Sequence, residues 1–334
     1  MDLPVMRSSA FFAAATCLLA LLVTPSFAVT RRVPSQIPGI QAALDSSATG
    51  DTVLVEPGDY SWTSGALTLR GKSIVLRSEA GPTATTLRSS PGNGAIGFSN
   101  GEDSARLEGF TISVGDLGFS AAIGVGNSTP AIDNCVITGN RSSGDTAGIG
   151  VYGGSPSFAF ATISNTIIAF NECDWGSGAA VIADAGARFI GCTFHGNRSG
   201  STKCSSVGAQ LVSVSSIGTF LERTIISGSP DQMPIRCESY VELIECCNFF
   251  GNACGDDEGC LPGVFGVNGN ISVDPMYCDP TLDALDFSLA SGSPCLPGNH
   301  PDGAACELIG ARGEGCDPTA TTPASWGHLK SLFR

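Results

Sequence analysis

Four charged residues, Asp116, Arg141, Glu172 and Arg198, recur at intervals of 25, 31 and 26 residues and alternate in sign. An arginine held beside carboxylates has the parts for a β-elimination on a uronic acid. The arginine, Arg141 or Arg198, would act as base while the acids hold Ca²⁺ against the sugar's charge. The plainer alternative is an exposed salt-bridge ladder on rungs about 4.8 Å apart. Such a ladder is worth about 0.2 to 1 kcal/mol per pair, and it is the preferred reading. A second group, Asp256, Asp257 and Glu258, lies between Cys254 and Cys260. Its oxygens suit Ca²⁺, but a site of about 6 to 8 oxygens needs ligands from elsewhere. A short turn closed by a disulfide accounts for the same residues. His195 follows Phe194 and should point outward into solvent, with no nucleophile placed beside it by spacing.

These charges ride on a repeat. Placing Thr166 of Asn165-Thr166-Ile167-Ile168-Ala169-Phe170-Asn171 at position zero, the same slot falls on Phe110, Cys135, Cys192, Thr224 and Cys247, at intervals of 25, 31, 26, 32 and 23 residues. Position +2 holds Ile112, Ile137, Ile168, Phe194, Ile226 and Phe249, and position −3 holds Leu107, Ile132, Ile163, Phe189, Leu221 and Ile244. Zero and +2 share a parity and face one side of a strand; −3 breaks it, so the chain must bend between them. Position −1 is Gly109, Asn134, Asn165 and Gly191, types that tolerate a left-handed corner. Arg223 and Cys246 stand there in the last two units, which predicts a looser corner. Position +5 is Asn140, Asn171, Asn197 and Asn252, with Gly115 and Ser229 in the other units. Stacked rungs would let those amides hydrogen-bond along the axis. Units of this length, each unable to bury its own apolar face, describe a solenoid. Asn127, Asn140, Asn197 and Asn270 begin Asn-x-Ser/Thr triplets. A glycan on a ladder asparagine would break the ladder, so these are read as chance matches.

The pattern resembles a right-handed parallel β-helix of the pectate-lyase-like superfamily, of the secreted bacterial type, over roughly residues 33 to 311. The resemblance implies an all-β solenoid with an N-terminal capping helix, here Ile37 to Leu44, and an irregular Cys-rich C-terminal cap. The chain is expected to divide into four parts: a leader at 1–28, the solenoid with its cap at 29–252, the Cys-rich segment at 253–316 and a flexible tail at 317–334. Catalytic sets of the resembling enzymes do not carry over. Polygalacturonase-like hydrolases have Asn-Thr-Asp, Asp-Asp, Gly-His-Gly and Arg-Ile-Lys; this chain offers only Asp256-Asp257, outside that context. Pectate lyases have Arg-x-Pro-x-x-Arg, and Arg32-Val33-Pro34 is not followed by a second arginine.

The leader is read from Arg7, the apolar run Ala10 to Val23 and the small-x-small site Ser26-Phe27-Ala28, with cleavage after Ala28. That run is shorter than the ~20 residues of a membrane span. A net charge of −14 argues against nucleic acid, and against polyanionic sugars unless Arg or Ca²⁺ offsets it. Removing Cys17 with the leader leaves 13 of 14 cysteines. Cys135, Cys192 and Cys247 recur two rungs apart, about 9.6 Å, beyond the ~7 Å reach of a disulfide, and should be buried thiols. Cys173 and Cys204 fall in adjacent loops and could bond. Cys237, Cys246, Cys254, Cys260, Cys278, Cys295, Cys306 and Cys316 would form four disulfides in an exported chain, with the pairing open. The expected protein is a secreted or cell-surface monomer that binds a polysaccharide or surface glycan, or serves structurally. The alternative is a calcium-assisted polysaccharide lyase or a divergent glycoside hydrolase.

Overall fold

The computed structural model describes residues 27–317, apart from 155–157, 175, 201–203, 205–208 and 239–240. The leader, save its last two residues, and the tail beyond Asp317 lie outside the described residues. One turn of the chain shows how the rest is built. Ala131–Asp133 forms a strand, the chain bends at Asn134, and Val136–Thr138 forms the next. Arg141–Ser142 and Thr146–Tyr152 follow before Ala159–Ser164 begins the next rung above Ala131–Asp133. Repetition gives three long parallel sheets of nine, eight and seven strands. The protein is a nearly all-β parallel solenoid, and its one described helix is Ile40–Ser46.

The register follows the repeat. Leu107, Ile132, Ile163, Phe189, Leu221 and Ile244 pair in sequence along the nine-stranded sheet. Ile112, Ile137, Ile168, Phe194, Ile226 and Phe249 pair likewise along the eight-stranded sheet. Both columns point into one continuous core. At position zero, threonine alternates with cysteine for a reason the pattern alone does not give. Thr166 Oγ1 accepts Cys135 N at 3.3 Å, Thr224 Oγ1 accepts Cys192 N at 3.4 Å, and Asn270 Oδ1 accepts Cys247 N at 2.9 Å. Each polar side chain thus satisfies an N–H of the preceding rung where the corner interrupts the sheet.

The corner between these two sheets does not loosen as expected. Gly109, Asn134, Asn165, Gly191, Arg223 and Cys246 all have φ between 49° and 80°. A left-handed non-glycine residue costs on the order of 1 kcal/mol or more. At Arg223 and Cys246 the side chains are fastened from outside. Arg223 pairs with Glu307, and Cys246 is bonded to Cys306.

The helix starts at Ile40, later than the expected Ile37. Arg32 O accepts N–H groups from Gln36 and Ile37, forming a turn before Gly39. Ile40, Ala43 and Leu44 are its buried face, against Thr30–Val33, Thr52–Val55 and Leu67–Thr68. Lys72 Nζ donates to Leu44 O, Asp45 O and Ser47 O at 2.6 to 3.1 Å, placing a cation at the helix C-terminus.

Residues 253–316 do two things. Leu261, Val264 and Phe265 pack on the core at the end of the solenoid. The chain then doubles back as a strap over the outer face of the eight-stranded sheet. That face carries Val136, Ile167 and Ile225, which point away from the core yet are at most 6% exposed. Phe287 and Ala311 cover Val136 and Ile167; Leu289, Leu296 and Ile309 join Ile225. Ala311 N donates to Thr193 Oγ1 at 3.0 Å and Arg312 Nη1 to Asn165 O at 3.0 Å.

Four disulfides form among the described residues: Cys204–Cys254, Cys237–Cys260, Cys246–Cys306 and Cys278–Cys316. Three of the four bonds expected among the eight C-terminal cysteines form, and two assignments change. Cys204 bonds Cys254 rather than Cys173, because Cys173 faces inward and is fully buried. Cys295 stays a buried thiol on the inner side of the strap, where Asn248 Nδ2 donates to its sulfur at 3.1 Å. Cys135, Cys192 and Cys247 are buried thiols, as their spacing requires.

Candidate functional site

The floor of the candidate site is a chain of amides. Asn140 Nδ2 donates to Asn171 Oδ1 at 3.0 Å, and Asn171 Nδ2 to Asn197 Oδ1 at 3.0 Å. Ser229 cannot continue the chain, and Gln210 replaces it. Gln210 Oε1 accepts from Asn197 Nδ2 at 3.1 Å, and Gln210 Nε2 donates to Asn252 Oδ1 at 2.7 Å. Asp256 ends it, its Oδ1 accepting from Asn252 Nδ2 at 2.7 Å. The second amide hydrogens go to Ile112 O, Ile137 O, Ile168 O, Ser227 O and Ile226 O at 2.8 to 3.1 Å. The ladder is buried and hydrogen-bonded throughout, so the residues flanking it are held rung by rung. The triplet asparagines Asn140, Asn197 and Asn270 are buried in such networks.

One residue beyond the amides, the charges stack as their spacing predicts. Asp116 bridges Arg141, Arg141 is opposite Glu172, and Glu172 is opposite Arg198. Arg141 Nη2 is 3.9 Å from Glu172 Oε1, and Arg198 Nε is 3.9 Å from Asp231 Oδ2. The Arg141 and Arg198 side chains are 68% and 61% exposed. Each therefore pairs loosely in high dielectric, where such contacts contribute little. Phe119 stands beside this column, 86% exposed, in a loop fixed by Leu117 N to Arg141 O at 2.7 Å and Ser143 N to Gly118 O at 2.6 Å.

The acidic loop lies at the end of the same edge, tied in by Cys204–Cys254. Its three carboxylates differ. Asp256 accepts Gly251 N, Asn252 N and the Asn252 amide, all within 2.9 Å, and is committed to the ladder. Asp257 and Glu258 are exposed. Two side chains fall short of the roughly 6 oxygens Ca²⁺ requires. Among the described residues no three His, Cys, Asp or Glu side chains converge as metal ligands would.

His195 is not a solvent-exposed side chain. It does point away from the core, but the strap covers it. Phe170, Tyr277 and Phe287 surround its ring at 5.3 to 5.6 Å between centroids. Its Nδ1 lies 3.1 Å from Ser227 Oγ, which is 3.0 Å from Tyr277 Oη. Burial pushes the imidazole pKa down to about 4, so it is neutral at pH 7. Burial pushes the Cys135 thiol up to about 11 and those of Cys192, Cys247 and Cys295 up to about 12. These are protonated packing groups rather than nucleophiles. Ser227 and Tyr277 were not found by sequence reasoning. The outward apolar residues Val136, Ile167 and Ile225 were the available sign that something covers this face.

No family model matches the chain, and a search of curated proteins finds no match.

Proposed function

We propose that this is an exported or cell-surface solenoid that works as a carbohydrate-facing binding or structural module. The observation that carries the reading is the column Asp116, Arg141, Glu172, Arg198 and Asp231, built on a buried amide ladder. It presents polar groups at a fixed repeat along one straight edge, with exposed Phe119 beside it. A repeating scaffold edge suits a repeating polymer, because every second rung presents a charge of the same sign. Rigid presentation also lowers the entropy lost on binding. Four disulfides suit an oxidising compartment, and no described helix is long and apolar enough to cross a membrane.

The arginines favour binding over elimination. Arg141 and Arg198 are exposed and each faces a carboxylate at 3.9 Å, an arrangement suited to contacting the polar groups of a ligand. The test is a polysaccharide panel scored twice, with and without Ca²⁺. Retention on a glycan array, weakened by R141A/R198A and without release of unsaturated uronides in the ultraviolet, supports the module. Ca²⁺-dependent uronide release that R141A or R198A abolishes would replace it with the lyase reading.

A further inference from the structure

Three phenylalanines form a row on the outer face of the nine-stranded sheet. Phe160 projects outward from Ala159–Ser164 and is opposite Gly186 on the next rung, which is opposite Gly218 on the one after. A Cβ at Gly186 would meet Phe160 Cδ2 at 2.6 Å and Ile217 Cγ2 at 2.9 Å. The Phe160 ring therefore lies across the glycine, against the backbone, where any side chain would lift it. Phe158 is 48% exposed; its ring centroid is 6.4 Å from that of Phe160, with the planes 19° apart. Phe220 continues the row at 6.3 Å from Phe160. Arg188 Cζ sits 5.1 Å from the centre of the Phe220 ring, and Arg188 Nη1 is 3.3 Å from Glu222 Oε1.

We infer that this row is a stacking platform for a neutral, β-linked polysaccharide, a deepening that rests on the carbohydrate-facing reading above. Pyranose rings with equatorial hydroxyls have an apolar C–H face that packs on an aromatic ring and shields it from water, while the hydroxyls hydrogen-bond at the rim. The neighbouring outward column supplies acceptors: Glu108, Asp133, Glu222 and Glu245 stand on it, with Ser164 and the apolar Ile190 between. The same acids set the charge of the ligand. Arg188 is already matched by Glu222 and Phe220, and Arg106 by Glu108 and Asp133. Beside the phenylalanines a uronate chain would meet these carboxylates while Arg106 and Arg188 are already engaged; Arg77 continues the same column beyond Glu108, three rungs from Ser164. The column Arg141–Arg198 belongs to another edge and is not involved.

The test is affinity electrophoresis of the folded chain through gels containing hydroxyethyl cellulose, xylan, mixed-linkage β-glucan or polygalacturonate. Mobility should fall in at least one neutral gel and stay unchanged in polygalacturonate. F158A/F160A should weaken retention about tenfold, the loss expected when two stacked rings go. F158L/F160L should lose it too, since it keeps apolarity without a flat face, and F158W/F160W should keep it. Thermal melts of each variant verify folding. Retention that survives F158A/F160A overturns the platform and leaves the carbohydrate reading standing. Retention by polygalacturonate alone also overturns the platform. Lack of retention in every gel and on the array removes both. A dimer that F158A/F160A dissolves, without glycan retention, would show a second copy as the occupant and overturn the platform.

Discussion

Replacing Asn171 with alanine removes one rung of the amide ladder while leaving the inward apolar columns untouched. Asn171 is fully buried, and its side chain makes four hydrogen bonds. Its Oδ1 accepts from Asn140 N at 3.3 Å and Asn140 Nδ2 at 3.0 Å; its Nδ2 donates to Ile137 O at 2.9 Å and Asn197 Oδ1 at 3.0 Å. N171A leaves two donors and a carbonyl of the neighbouring rung without partners. Each buried orphan costs about 1 to 3 kcal/mol, and the losses share one site, so the total should be about 3 to 5 kcal/mol. R141A, one rung earlier and one residue outward, breaks an exposed pair and should cost less than about 1 kcal/mol. The assay is guanidinium denaturation followed by far-ultraviolet circular dichroism, comparing midpoints at equal slope. Hydrogen exchange adds a local readout, because a solenoid passes damage mainly to adjacent rungs. Protection should fall around Ile137–Asn140 and Phe194–Asn197 and persist near the helix. An N171A midpoint within error of wild type, or an R141A loss as large as that of N171A, would refute the assignment of stability to the ladder.

Three further outcomes are expected. His195 has its pKa lowered from 6.5 to about 4, so between those values the unfolded chain binds a proton the folded one refuses. Stability should therefore fall by up to about 3 kcal/mol as pH drops from 6.5 to 4, a loss absent in H195F; superimposable pH profiles for the two proteins would count against burial under the strap. Cys135, Cys173, Cys192, Cys247 and Cys295 should resist alkylation in the folded protein and react fully in guanidinium; labelling of any of them under native conditions would contradict their inward placement. Burial alone would raise the pKa of Glu102, yet N–H donors from Asn100 and Gly71 and the Ser128 hydroxyl at 2.7 to 2.8 Å hold it below the usual value. E102A should cost about 2 to 4 kcal/mol in thermal melts at neutral pH, and a loss under about 0.5 kcal/mol would show that water replaces the carboxylate without penalty.

Much of the solenoid was legible because its physics is local and repeated. Ile137 stacks on Ile168 and Phe194, and Asn140 on Asn171 and Asn197, as the spacing required. The charged column from Asp116 to Arg198 followed from the same frame. Gln210 was not legible: it lies on Ala209–Ser215, a different strand, and fills the slot of Ser229 only by the reach of its side chain. The corners at Arg223 and Cys246 are irregular by residue type alone, because what holds them is Glu307 and Cys306, many residues downstream. The strap hid for the same reason. Its anchors join Ala311 to Thr193 and Arg312 to Asn165, across 118 and 147 residues, after the periodicity has ended. Covering the outer face also reversed the exposure expected for His195.

Disulfide mapping by mass spectrometry, after native alkylation and proteolysis without reduction, tests most directly whether the solenoid folds its own C-terminal segment back along its flank. The predicted result is Cys246 linked to Cys306 and Cys204 linked to Cys254, with Cys173 and Cys295 recovered as thiols. Recovery of a Cys173–Cys204 peptide, or of Cys306 joined to anything but Cys246, would contradict both the strap and the rung order beneath it.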